Sequence, residues 1–268
     1  MKVYDRAARR LICYEESATA DFWDEHWDIA NFRESIERGR NNRFCLNTLK
    51  KYITDKKEPV LEGGCGAGYI VYCMHSHGYR AIGVDTAEKT IGRLNSVFPE
   101  LDVRVADVKN LPFPDAYFTG YWSLGVIEHF RDGYHDVLRE MHRVLKDGGY
   151  VFLTFPCMSP LRRLKVRFTK YEEFHEDIKQ EDDFYQFILD ADRVKNDLKA
   201  AGFEPVACRN EDGIKGFKDE VSIFRRLLQA IYDYRGKNLA ILGLRLVLDR
   251  LLATFAGHLM FMVFKKVA

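Results

Sequence analysis

Between residues 58 and 156, short apolar runs alternate with helix-length segments, the pattern of a parallel sheet wound with helices on both faces. Val60-Leu-Glu-Gly-Gly-Cys-Gly-Ala-Gly-Tyr-Ile70 begins as a buried strand and breaks at glycines 64, 66 and 68 into a tight loop before a helix. Arg80-Ala-Ile-Gly-Val-Asp85 and Asp102-Val-Arg-Val-Ala-Asp107 read as the next two strands, each closing on an acid. Glu62, Asp85 and Asp107 are therefore expected near one edge of the sheet. Farther on, 192–201 reads as a helix, and Gly202-Phe-Glu-Pro-Val-Ala-Cys208 and Leu259-Met-Phe-Met-Val-Phe264 as two closing strands. Residues 1–57 read as helical, because Phe22, Trp23, His26, Trp27 and Ala30 fall on one helical stripe. The stretch 220–255, with Phe224, Leu227, Leu228, Ile231, Leu242, Leu246 and Leu252, reads as amphipathic helices broken near Gly236, with Gly243 a second candidate break.

The glycine loop carries the first chemical signal. Alternate glycines let a ligand approach the main chain, and the helix that follows points its positive end at the loop. A nucleotide-like ligand fits that description, with Asp85 able to accept both hydroxyls of a ribose. The dinucleotide fingerprint G-x-G-x-x-G requires glycine at position 69, where Tyr69 stands, which argues against a nicotinamide-dependent oxidoreductase.

Three further motifs follow in order: Asp107 with Leu111-Pro-Phe-Pro-Asp115, then Gly120-Tyr-Trp-Ser-Leu-Gly-Val-Ile-Glu-His129, then Leu138-Arg-Glu-Met-His-Arg-Val-Leu-Lys-Asp-Gly-Gly-Tyr-Val-Phe-Leu-Thr-Phe-Pro156. Together with the glycine loop they resemble the class I S-adenosylmethionine-dependent methyltransferases. The resemblance implies an α/β, Rossmann-like, doubly wound and mostly parallel sheet of about seven strands with an antiparallel last strand. To this the sequence adds an N-terminal helical lid and a C-terminal helical insertion, giving a cap at 1–57, a cofactor-binding core at 58–157, and substrate-region insertions with the closing strands at 158–268. S-adenosylmethionine would be the cofactor and S-adenosylhomocysteine the product. By position, Glu62, Gly63, Gly64, Gly66 and Gly68 are expected on the methionine side, Asp85 and Thr86 at the ribose, Asp107 and Val108 at the adenine, and Ser123 and Leu124 under the reacting end. Gly63, where relatives carry an apolar residue, is expected to add freedom to the loop. His129 is the candidate general base, beside the plainer reading that the Glu-His pair is structural.

The acceptor implied is a small molecule, glycan or lipid-linked compound, with O-methylation favoured. A second reading keeps the fold but not the reaction, as an inactive cofactor-binding regulator or scaffold. Nucleic acid is disfavoured as a partner, since the exit of the fourth strand lacks an Asp/Asn-Pro-Pro-aromatic element and the net charge is only +1. Trp23 and Trp27 are lid candidates, beside the plainer and favoured reading that their stripe packs a helix onto the sheet, and Arg162, Arg163 and Arg167 are substrate candidates within the basic run 160–170. That run turns acidic through Glu172, Glu173, Glu176, Asp177, Glu181, Asp182 and Asp183, while Arg225, Arg226, Arg235, Lys237, Arg245 and Arg250 make the 220–255 stretch basic. The two basic segments point to an anionic or lipid-linked acceptor and to peripheral contact with a membrane surface.

A content of 47% hydrophobic and 13% aromatic residues supports a substantial core in the 268-residue chain. Six cysteines without a C-x-x-C pair read as free thiols of a reducing cytoplasm, and Cys73, His75 and His77 lack the further ligands of a zinc site, so no metal is expected. The N-terminal apolar run is too short for a signal peptide, and charges interrupt 238–264 before it reaches a membrane-spanning length.

Overall fold

The computed structural model describes residues 1–175, 183–234 and 236–267. The described strands are β1 (Lys2–Asp5), β2 (Arg10–Tyr14), β3 (Pro59–Gly63), β4 (Arg80–Asp85), β5 (Asp102–Val105), β6 (Phe118–Leu124), β7 (Leu145–Pro156), β8 (Glu172–Glu173), β9 (Phe184–Ile188), β10 (Phe203–Glu211) and β11 (Leu259–Lys266). Around them lie helices α1 (Ala20–His26), α2 (Phe32–Arg38), α3 (Arg43–Tyr52), α4 (Tyr69–Ser76), α5 (Glu88–Val97), α6 (His135–Val144), α7 (Pro160–Arg167), α8 (Ala191–Ala200), α9 (Gly213–Glu220), α10 (Arg225–Asp233) and α11 (Leu239–Ala256).

Seven strands form one sheet in the order β10-β11-β7-β6-β3-β4-β5. β3 to β7 are parallel, and β11 runs antiparallel between β7 and β10. This is the α/β fold with about seven strands and an antiparallel closing strand that the sequence led us to expect. Alternation along each strand divides the core in two: Leu61, Tyr121 and Leu153 pack on one face, and their neighbours Val60, Trp122 and Phe152 on the other. The chain winds outward from β3 through β4 to β5, then returns to place β6 on the opposite side of β3. A crevice opens at such a reversal, at the carboxyl ends of the strands.

The Leu-Pro-Phe-Pro-Asp segment owes its place to Arg143 on α6. The guanidinium donates to the carbonyls of Leu111 and Phe113 at 2.9 and 2.7 Å and pairs with Asp115 and Glu140. Glu140 in turn accepts from the Leu111 N–H at 2.8 Å, so a proline-rich segment that cannot form a ladder is held by side chains instead.

Three expectations need correction. The first 14 residues are a β-hairpin rather than helix, and with β8 and β9 they form a second sheet ordered β8-β1-β2-β9. Leu11, Ile12, Cys13 and Tyr14 are all buried in it, so packing on both faces makes a strand of a run too short for a helix. Gly243 does not break α11, because it sits on an open helix surface where glycine only weakens the helix. Finally, Arg162 is fully buried, not offered to a ligand. Its guanidinium meets Glu220 at 3.1 Å and donates to the Cys157 carbonyl at 2.7 Å, while Lys2, Lys165 and the Tyr171 hydroxyl also converge on Glu220. Burial alone would raise the Glu220 carboxyl, but Lys2 and Arg162, with bonds from Lys165 and Tyr171, hold it well below the usual carboxylate range. Arg163 serves the same region, donating to the Met158 carbonyl and facing Asp190. Glu176, Asp177, Glu181, Asp182 and Arg235 lie outside the described residues.

Truncating one partner of a buried ion pair strands the other, so Arg162→Leu should lower stability by about 3 kcal/mol. Arg167→Ala, at an exposed position on the same helix, should change it by less than about 0.5 kcal/mol. Urea denaturation of both variants measures the contrast, and equal effects would refute the structural role given to Arg162.

Candidate active site

The loop after β3 turns through positive φ at Gly64, Gly66 and Gly68, at +75°, +47° and +76°. The N–H groups of Gly64 and Cys65 both donate to the Val84 carbonyl, at 2.8 and 2.9 Å, folding the loop over the end of β4. Asp85 completes this anchorage: one carboxylate oxygen accepts from the Gly66 N–H at 2.7 Å and the other from the Ala87 N–H at 3.0 Å. Beneath the loop, Glu62 is buried and accepts from the Val71 N–H in α4 at 3.1 Å. Burial pushes its carboxyl well above the usual range against that bond, and Asp85 pushes it the same way. Gly63 contributes space rather than freedom, correcting the expectation from sequence. It lies within β3, and a Cβ there would collide with the Tyr121 phenol.

A cavity of about 310 Å³ opens beside the loop, near the lower limit of about 300 Å³ usual for small-molecule sites. Gly64, Gly66, Asp85, Thr86, Asp107 and Val108 line it together with Leu124, His129, Trp23 and Trp27. The switch between β3 and β6 has thus brought together the loop, two acidic strand ends and the N-terminal helix. Glu62, Gly63, Gly68 and Ser123 stand behind this surface, while Arg162, Arg163 and Arg167 are not among its lining residues.

The roof comes from α1. Trp27 lies directly on the loop, so that a Cβ added to Gly66 would stand 2.5 Å from its indole. Trp23 packs edge-on against the His129 ring with centroids 4.9 Å apart, and Phe22 packs against Tyr185 of β9 at 5.7 Å. His129 Nδ1 lies 2.7 Å from the Tyr185 carbonyl, which can only accept, so the ring hydrogen is on Nδ1 and the Nε2 lone pair is left available. Burial lowers the His129 pKa to about 4 against the pull of that carbonyl, and the ring is neutral at physiological pH. Its neighbour Glu128 is also buried, has one oxygen without a partner, and is pushed up to about 8 by burial.

The sequence profile of the methyltransferase domain matches residues 61–153, from within β3 to within β7, and so takes in the loop and both acidic strand ends. These residues form a methyltransferase domain that resembles those of the class I S-adenosylmethionine-dependent enzymes. Similarity to named proteins agrees. A probable S-adenosylmethionine-dependent methyltransferase of Mycobacterium tuberculosis is 31% identical over 151 residues, covering 55% of this chain and 49% of that protein. The 27-O-demethylrifamycin SV methyltransferase of Amycolatopsis mediterranei is 29% identical over 216 residues, covering 76% and 73%. Against mycobacterial relatives the match spans only 37% to 49% of their length. Among solved structures, the cyclase SpnF superposes with a TM-score of 0.58 at 17% identity, covering 96% of this chain and 98% of that one. That likeness concerns the fold, which does not by itself decide the reaction.

Several cavity residues escaped the sequence reading: Ala18, Ala106, Lys109, Gly125, Val126 and Phe130. Ala106, Lys109 and Gly125 adjoin predicted positions, and a wider window at each strand end would have included them. Tyr185 carried no such signal, because only the second sheet brings it to His129.

Glu128 supplies a test of the electrostatics. Unfolded, its carboxyl loses the proton near its ordinary value of 4.5; folded, it keeps it to about pH 8. Across that window the native state binds more protons, so the contribution of Glu128 to stability falls as pH rises. Urea denaturation at about pH 5 and about pH 8 should show Glu128→Gln gaining on the wild type by on the order of 2 kcal/mol at the higher pH. A pH-independent difference would mean that Glu128 is charged in the fold.

Proposed function

We propose that the cavity binds S-adenosylmethionine and that the protein transfers its methyl group to an oxygen of a small-molecule acceptor entering beside His129. The observation that carries this reading is the pairing, across one cavity, of a glycine loop anchored by Asp85 with a histidine whose free nitrogen is an acceptor. The residues present fit the cofactor: Gly64 and Gly66 present bare main chain to the cavity, and Asp85 and Asp107 stand at successive strand ends. Bound there, it would supply a methyl group on a cationic sulfur, already activated for in-line displacement.

In this scheme Gly64 and Gly66 bring the main chain against the methionine portion, with Glu62, Gly63 and Gly68 shaping the loop from behind. Asp85 and Thr86 hold the ribose, Asp107 and Val108 the adenine edge, and Ser123 and Leu124 close the floor under the reacting end. Trp23 and Trp27 exclude water. His129 Nε2 accepts the hydrogen bond of an acceptor hydroxyl, orients its lone pair and takes its proton. The relative that acts at the 27-O position of a rifamycin favours oxygen as the reacting atom. Residues 158–268 bear on the site through Tyr185, whose carbonyl orients His129. Arg162, Arg163 and Arg167 are assigned no part.

Isothermal titration with S-adenosylmethionine, S-adenosylhomocysteine and NAD in parallel tests the cofactor assignment. Affinities on the order of micromolar for the adenosyl compounds and no response to NAD are expected. Asp85→Ala should weaken adenosyl binding by about tenfold or more, the scale of losing hydrogen bonds to a charged group. Silence from both adenosyl ligands would refute the reading, and unchanged binding by Asp85→Ala would remove the ribose role.

Once an acceptor is found by transfer of labelled methyl, His129→Ala should reduce kcat by about 100-fold with a smaller change in KM. Because His129 titrates near pH 4, it should impose no inflection on the kcat/KM profile between about pH 5 and 8. An inflection near the ordinary histidine value that disappears in His129→Ala would show the ring to be solvated during turnover.

A further inference from the structure

We infer that α10 and α11 form a docking surface for an anionic lipid bilayer. Helix α11 turns Ala253 and Ala256 inward and leaves large apolar side chains in solvent: Leu239 is 82% exposed, Leu246 59%, Val247 55% and Leu251 67%. In the turn before α10 Ile223 is 82% exposed, and within α10 Leu227 is 63% exposed. Soluble proteins rarely leave such contiguous apolar surface uncovered. None of the described helices is long and apolar enough to cross a membrane, which leaves a seat in the interfacial layer.

Charge chooses the occupant. The only acid of α11, Asp249, is turned away from this face to accept from the Ile214 N–H at 3.0 Å. Asp233, at the far end of α10, is engaged by Gln229 at 2.6 Å. Arg225, Arg226, Lys237 and Arg250 are exposed around the apolar positions. Arg250 also borders a groove of about 900 Å³ on the side to which Asp249 turns, lined by Arg43, Lys51 and Arg209 together with Asp249 and Glu211. A second copy of the chain packed on this face would bring the same cations together across a symmetry axis. Phosphate headgroups above acyl chains complement both the cations and the leucines.

The surface is also well placed. Leu259 pairs with Pro156 and with Glu211, so α7, α9 and α11 all meet the sheet at the carboxyl end of β7 and β10, the end at which the cavity opens. Arg162, which the sequence had suggested as part of a membrane-facing basic run, contributes nothing, being sealed against Glu220. Docking does not depend on methyl transfer, and its test does not require turnover.

The test is flotation of the full chain with vesicles of phosphatidylcholine alone and of an equal mixture of phosphatidylcholine and phosphatidylglycerol, at low and high salt. Flotation with the mixed vesicles is expected, reduced about tenfold by high salt or by leaving out the anionic lipid. The Val247→Glu, Leu251→Glu chain, altered only where side chains already face solvent, should keep the wild-type circular dichroism and melting and lose flotation by about tenfold. The Arg226→Glu, Lys237→Glu chain should lose the preference for anionic vesicles. Absence of flotation with the mixed vesicles, or undiminished flotation of the folded Val247→Glu, Leu251→Glu chain, would overturn the inference. So would a dimer in sedimentation velocity that Val247→Glu, Leu251→Glu dissolves, since the face would then join two copies.

Discussion

Between Gly64 and Gly68 the backbone must pass three times through positive φ, and the surrounding structure is arranged to hold it there. The Val84 carbonyl takes two N–H groups of the loop, and Asp85 takes a third. These bonds require β4 to end level with β3, which the register from Pro59↔Arg80 to Gly63↔Val84 provides. Glu62 then ties the strand to α4 through Val71, and Trp27 covers the loop because glycine leaves it no side chain to meet. Cavity, anchor and roof thus follow from one backbone requirement that side-chain-bearing residues meet only with strain.

The far side of the cavity depends on a different kind of linkage. His129 belongs to the central fold, just after β6, but its orientation and tautomer are set by the carbonyl of Tyr185 in β9. β9 is ordered by pairing with β2, and Phe22 of α1 packs against Tyr185 in turn. Segments far apart along the chain therefore fix one ring at the cavity wall. Substitutions in the N-terminal hairpin can disturb His129 without touching the glycine loop, a separation in space that suits a site where one side is constant in purpose and the other adapts to its acceptor.

Much of this was legible in the sequence where local chemistry dictates structure. Alternating apolar runs, acids closing β4 and following β5, and glycines at 64, 66 and 68 each have a physical reason that acts within a few residues. The hairpin of β1 and β2 was not legible in the same way. Leu11-Ile-Cys-Tyr14 becomes a strand by pairing with residues almost 180 positions away, and the neighbouring aromatic stripe drew the reading toward helix. Arg162 misled for a similar reason. A basic run looks solvated until Glu220, on another element, is placed against it. Gly63 illustrates a third limit, since a glycine needed for the space beside Tyr121 looks no different in sequence from one needed for its φ.

Charge around the cavity is distributed with a consistent sense. Desolvation raises the carboxyls of the buried Glu62 and Glu128 and lowers the half-buried His129 ring, while Asp85 and Asp107 remain at the lining. Among the described lining residues Lys109 is the lone lysine or arginine, and it stands 3.9 Å from Asp107. A pocket of this character favours a cationic ligand at the carboxylates. Toward His129 and the tryptophans it offers an apolar wall with a single lone pair. Removing a proton through that lone pair disperses charge in a site of low polarity, where the penalty for creating an isolated ion is greatest. In the reaction proposed above, the weakly basic His129 would take the proton of an acceptor hydroxyl only as that oxygen loses electron density, not before.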